Sequence, residues 1–211
     1  MSKYNHFAKD LDAAFKTSRN LYSKSYYALE SAKDAENKAV GEVARLTARA
    51  KRIEAENTFK TVSADVLQGF NRTRDELSKA LKEEVEAACV VDPAQIDSNT
   101  CILLDSGMLK PSDYAHLAEK FSGNTTMCRL IGAKAAAAAQ NTDQEGRAIL
   151  NNVRTACESA GREPLEAWNA LVETSRYCTG QRYDGDRSTP KHVVTMAERW
   201  EDFTSEAVEA F

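Results

Sequence analysis

The residues best equipped for bond-making chemistry in this chain are three histidines and five cysteines. His6, His116 and His192 are too far apart to ligate a metal from one helix, and no H-E-x-x-H sets a general base beside such a site. His116 and Cys128 would make a nucleophile–base pair only with a third group to orient the imidazole, and the sequence identifies none. Cys89, Cys101, Cys128, Cys157 and Cys178 contain no C-x-x-C and are odd in number, which argues against a disulfide framework and a zinc knuckle. On helices they read as small buried hydrophobes. Asp184-Gly185-Asp186 invites calcium, but it lacks the ligand ladder and closing glutamate of an EF-hand and reads as a polar turn. Phosphate-cradling glycine loops are missing too. The expectation is a non-enzymatic chain with no metal and no cofactor.

Two clusters suit binding better than catalysis. Arg45, Arg49, Lys51 and Arg52 alternate with Glu42, Glu54 and Glu56, the pattern of a solvated ion-pair face. An anionic partner, nucleic acid included, is the sharper reading of the same four cations. Phe7, Leu11, Phe15, Tyr22, Tyr26, Tyr27 and Leu29 form the candidate protein-contact surface. Tyr27 lies off the helical stripe, where an exposed tyrosine marks an interface.

Helices must position both clusters. From Met1 to Val91 there is no proline, and Tyr4, Phe7, Leu11, Phe15, Ser18, Tyr22, Tyr26 and Leu29 recur at helical spacing. Ala32, Glu36, Ala39, Val43, Leu46, Ala50 and Ile53 continue in heptads, with Lys51 and Arg52 flanking Ile53 on the wet side. Phe59, Val62, Val66, Phe70, Leu77, Leu81 and Val85 follow on a shifted stripe. Gly41 and Gly69 are candidate bends or breaks. Residues 1–91 therefore read as a coiled-coil-like arm, either one long helix or a helical hairpin. Its seam is alanine-rich and interrupted by Glu36 and Asn57, so it buries too little for a self-sufficient zipper. Packing against the rest of the chain or an assembly neighbour is favoured.

Residues 92–211 read as a compact domain of shorter helices. Val91-Asp92-Pro93 ends the arm. Asp97 or Ser98, Asn124, the Thr142–Glu145 capping box and Thr189-Pro190 open helices, as does proline in the first turn at Pro111 and Pro164. Val193, Met196, Ala197, Trp200 and Phe203 fall on one last helix. Core candidates are Met108, Tyr114, Leu117, Phe121, Met127, Leu130, Ile131, Trp168 and Trp200.

Composition points the same way. Proline and glycine are scarce, Val/Ile/Thr runs nearly absent, and alanine, glutamate and lysine abundant, which defines an all-α fold. No apolar run is long enough to cross a membrane. The opening residues lack the apolar core of a signal peptide, so a cytoplasmic setting is expected. Residues 1–88 carry 16 Lys and Arg against 14 Asp and Glu, too even a balance for a nucleic-acid-binding surface on charge alone.

Within 107–134, Gly107-Met108-Leu109-Lys110-Pro111-Ser112-Asp113-Tyr114, Leu117-Ala118-Glu119-Lys120-Phe121 and Asn124-Thr125-Thr126-Met127-Cys128-Arg129-Leu130-Ile131 stand in sequence. This stretch resembles one in small uncharacterised helical proteins encoded by phages and prophages of Gram-positive bacteria. There the last part looks like Asn-Pro-Thr-Met-Leu-Arg-Leu-Ile. Here Thr125 replaces the proline, Cys128 the leucine, and Lys110 a common capping threonine. The resemblance carries no catalytic motif. It implies a phage virion structural or assembly protein, made in the cytoplasm of the bacterial host, with the virion as a further destination. Its partners would be itself and other virion or assembly proteins, through protein–protein contact and helical self-association. The alternative is a helical nucleic-acid-associated factor using the basic cluster at 45–52.

Overall fold

Gly41 decides the architecture. In the computed structural model, which describes residues 3–181 and 188–211, helix α1 (Asn5–Lys38) gives way to extended backbone at Ala39. Gly41 then takes a φ of +91°, and α2 (Glu42–Ala88) begins. Positive φ costs glycine nothing sterically, so the chain reverses there. Gly69 lies inside α2, where the buried Phe70 beside it helps offset the roughly 1 kcal/mol a helical glycine costs.

The arm is a hairpin, not a rod. Phe15 meets Phe70 edge-on at 5.4 Å, Tyr22 meets Phe59 at 5.4 Å, and Arg52 bonds Glu36. Each step back along α1 is matched by a step forward along α2, the register of an antiparallel pair. Tyr4, Phe7, Leu11, Phe15, Tyr22 and Leu29 are buried, so the first helical stripe forms as the spacing predicts.

The remaining elements are short. Asp92 caps a 3-10 turn (Pro93–Gln95), and Asp97 caps α3 (Ser98–Asp105) by accepting from the Thr100 N–H at 3.0 Å. Then come α4 (Pro111–Lys120), α5 (Thr125–Ala138), α6 (Gln144–Ser159), α7 (Glu163–Cys178), α8 (Pro190–Glu198) and α9 (Trp200–Ala210). The expected capping box is displaced by one residue: Asp143 accepts from the Gly146 N–H at 2.8 Å. The last helix, expected to be continuous, is broken at Arg199, whose N–H turns back to Met196. Among the described residues the all-α class holds.

Contacts divide the chain into two units, Met1–Leu81 with Ala167–Phe211, and Lys82–Glu166. The expected division was 1–91 and 92–211. It differs because the last stretch of the chain carries apolar residues that the hairpin buries. In the first unit Trp200 stacks on Phe15 with ring centroids 4.0 Å apart, and its indole N–H donates to Asp12 at 2.9 Å. Val193 and Val194 cluster with Tyr22, and Asn5 donates to the Val208 carbonyl at 3.0 Å. Trp168 donates to Ser78 at 2.8 Å and lies edge-on to Phe7. Arg74 is buried beside these contacts in sequence, its guanidinium reaching Asp75 at 3.2 Å.

The second unit builds its own core from Leu104, Tyr114, Met127, Ile131, Leu150, Val153 and Cys157. Gly132 lets α5 and α6 approach: a Cβ there would stand 3.0 Å from that of Cys157. Met108 was expected in this core and is 74% exposed. It follows Gly107, whose φ of +69° turns the chain into the link between α3 and α4 rather than into a helix face.

Two stability predictions follow from this packing. Gly69→Ala has open space around its Cβ and should stabilise by about 0.5–1 kcal/mol, whereas Gly41→Ala must hold alanine at positive φ and should destabilise by about 1 kcal/mol. Denaturant titration of both variants reads the opposite signs. Glu201 supplies the second. Its burial pushes the carboxyl up, but Arg19 at 2.7 Å and Lys16 outweigh that and hold it below its ordinary value. A carboxylate lowered on folding stabilises above the unfolded value and loses that contribution as pH falls. The group is half exposed, so Glu201→Gln should cost only about 0.5 kcal/mol near neutrality. That gap should close as the pH drops below 4.5.

Candidate interaction surface

Near the Gly41 turn the two helices face each other through small and charged residues. Ala32 and Glu36 of α1, Ala39 just beyond it, and Ala48, Arg52, Ala55 and Phe59 of α2 are half-covered. At about 100° per residue, Ala50 lies about 200° around the helix from Ala48. The heptad stripe of α2 therefore points away from α1. Val43 is 79% exposed, Leu46 61% and Ile53 45%, and Val40 in the turn is 87% exposed. This corrects the stripe expected to run unbroken from Ala32 to Ile53. The non-helical residues around Gly41 reset the helical phase, so α1 contributes its half of that stripe inward and α2 its half outward.

The charges near the turn follow the same inversion. Arg52, expected on the wet side, turns inward and bonds both Glu36 and Glu56, the latter at 2.7 Å. Arg45 donates to the Ala39 carbonyl at 3.2 Å and closes the end of α1. Of the four candidate cations, Arg49 and Lys51 remain exposed without an ion pair among the described residues.

The aromatic candidates are mostly internal. Phe7, Leu11, Phe15, Tyr22 and Leu29 are buried in the chain's own packing, and Tyr26 is half-buried against Phe59. The contact surface expected from them is an intramolecular seam, because α2, α8 and α9 cover it. Tyr27 alone is largely exposed; its hydroxyl donates to Glu198 at 2.8 Å, and that bond pushes the phenol above its ordinary value. Val43, Leu46, Ala50 and Ile53 instead make up an outward apolar face of the hairpin near the turn. Its residues were legible as a stripe, but their direction depends on the reset at Gly41, which no local spacing reveals.

In the second unit, a hollow of about 370 Å³ is lined by Ala118, Cys128, Val153, Ala156, Cys157 and Glu163, among others. Cys128 donates to the Phe121 carbonyl at 3.2 Å and lies beside Cys157, while His116 is exposed. Burial, followed by the neighbouring thiol, pushes Cys157 up to about 12. Burial also raises Cys128, and it lifts Cys178 to about 11. Such thiols are held protonated at neutral pH, the opposite of an activated nucleophile. Among the described residues no three His, Cys, Asp or Glu side chains converge as a metal site. Asp184-Gly185-Asp186 lies outside the described residues. No helix among them is long and apolar enough to cross a membrane.

Compared with models of protein families, with curated proteins and with solved structures, the chain matches none.

Alkylation separates inert from reactive thiols. In the native protein at mildly alkaline pH, iodoacetamide should label the partly exposed Cys101 first, with Cys128, Cys157 and Cys178 slower by roughly tenfold or more. Peptide mapping by mass spectrometry reads the order. Rapid labelling of Cys128 would revive a thiol chemistry.

Proposed function

We propose that this chain is a non-enzymatic helical protein that works by protein–protein contact, as a structural or assembly component of a phage virion. The observation that carries the reading is the outward apolar face of the hairpin, Val43, Leu46 and Ile53, beside Val40 in the turn. An exposed apolar stripe on a helix already held in place by its hairpin partner is what a docking element requires. The phage setting rests on the resemblance at 107–134. Synthesis in the host cytoplasm, and passage into the virion, belong to the same proposal.

A nucleic-acid-associated role is the weaker proposal. Arg45 and Arg52 are engaged within the chain, which leaves Arg49 and Lys51 as the free part of the cluster. Two cations support little of the counterion release on which such binding depends.

Co-expression with the proteins encoded by the neighbouring genes tests the reading. The wild-type chain is expected to co-sediment in fixed ratio with another copy or with one of those proteins. The doubly substituted Leu46→Glu, Ile53→Glu chain should retain its helical circular dichroism and lose that association. A wild-type chain that stays monomeric and alone in every mixture would overturn the proposal.

A further inference from the structure

The outward face of α2 also has a direction and a partner written into it. Val43, Ala50 and Asn57 occupy one heptad position, a, and Leu46 and Ile53 the other, d. The hairpin seam uses Ala48, Arg52, Ala55 and Phe59, the c and f positions on the far side of the helix. Intramolecular packing thus leaves the a/d positions from Val43 to Asn57 unpartnered. Asn57 is exposed on this face, as are Lys60 at the next d, which ends the apolar run, and Ala64 one heptad further on; Leu67 and Arg74, on the same line, are covered within the first unit. The available seam is therefore about two heptads long.

We infer that this face is a homotypic seam on which a second copy of the chain packs its own α2 in parallel; the inference rests on, and deepens, the contact function proposed above. Charge complementarity selects the partner, and Asn57 together with the charges selects the direction. Arg49 and Glu54 flank the stripe on opposite sides, at g and at the following e, and both are exposed. Neither has an ion pair among the described residues. In a parallel pair, Arg49 of each copy meets Glu54 of the other, giving two reciprocal ion pairs. An antiparallel pair with Val43 opposite Ile53 would instead bring Glu42 toward Glu56 and Arg49 toward its own counterpart, repulsive contacts along the g edge, and would leave Glu54 without a cation opposite. Asn57 adds a second criterion. In parallel it faces the same asparagine at an a position, the arrangement by which a buried asparagine fixes register and two-strandedness. In antiparallel it would either run past Gly41, where the opposing helix has ended, or, one heptad over, face Leu46 and bury its amide without a partner.

The seam is short of the roughly 800 Å² per partner of a standard interface, so the pairing is weak in isolation. Where many copies are arrayed, effective concentration strengthens the same contact.

Cysteine scanning on the full chain tests direction and partner together, in a Cys101→Ser background that removes the partly exposed thiol. Under mild oxidation with diamide, Ala50→Cys is expected to give a disulfide-linked dimer, because a faces a in parallel. Thr58→Cys, exposed on the same helix but off the seam, should give far less. Charge reversal supplies the second readout by sedimentation equilibrium. Arg49→Glu and Glu54→Arg should each weaken self-association by roughly fivefold, and the double exchange should restore it. Preferential linkage of Leu46→Cys to Ala50→Cys in a mixture would mean an antiparallel pair and overturn the inference. So would equal linkage at Ala50→Cys and Thr58→Cys, or no self-association up to millimolar protein. If that monomeric chain still co-sediments in fixed ratio with a neighbouring gene product, and Leu46→Glu, Ile53→Glu abolishes it, the homotypic seam falls while the contact function stands; if it binds nothing, both fall.

Discussion

Phe15, enclosed on α1, touches Phe70 of α2 edge-on at 5.4 Å and stacks on Trp200 of α9 at 4.0 Å, and the register of three helices follows from those two contacts. Aromatic pairs of this kind add about 0.5–1.5 kcal/mol beyond the area they bury, and their geometry tolerates little sliding. With Phe15 opposite Phe70, Tyr22 must fall near Phe59 and Glu36 near Arg52, as they do. With Trp200 on Phe15, its indole reaches Asp12, and Arg19 reaches Glu201. The polar bonds are consequences of the aromatic register, and each is too exposed or too small to impose it.

The same register explains why the interior changes character along the hairpin. Where α8 and α9 cover it, large residues fill the space between α1 and α2. Toward the Gly41 turn, alanines and the Arg52 ion pairs take over. Alanine buries little apolar area, so this part of the hairpin gains little from its own packing. Arg52 compensates by bridging Glu36 across the pair and Glu56 along its own helix. A half-buried guanidinium with two carboxylates fixes the facing of the helices without demanding an apolar seam.

The all-α class and most helix boundaries were legible because they rest on local chemistry. Asp97, Asn124 and Thr189 cap the helices they precede. The buried set from Tyr4 to Leu29 follows directly from helical spacing. The Asp143 cap was missed by one residue because Thr142 and Asp143 are both competent acceptors, and only the helix direction chooses between them. Gly41 and Gly69 look alike in sequence. What separates them is the nonlocal match of Phe15 with Phe70, which places the turn at one and continuous helix at the other. The return of Trp200 and Phe211 to the hairpin's unit was equally hidden, since nothing near residue 200 refers to residue 15. Met108 was misassigned because an apolar residue beside Gly107 has the composition of a core position but the geometry of a linker.

A phase reset has a consequence that a continuous heptad would not. Had the heptad positions of α2 lain on the side that faces α1, Val43, Leu46 and Ile53 would have been covered. Because Gly41 rotates α2 about its axis relative to the stripe of α1, Val43, Leu46 and Ile53 are carried outward on a helix that other residues already hold in place. Such a surface approaches binding with its backbone ordering already complete, so a partner loses only the rotamer freedom of a few side chains and its own rigid-body motion. On the contact role proposed above, that prior ordering is what would let so short a stripe suffice. The alanines and ion pairs of the inward face, which look like a poor coiled coil from sequence, are what leave the branched aliphatics of α2 free to face outward.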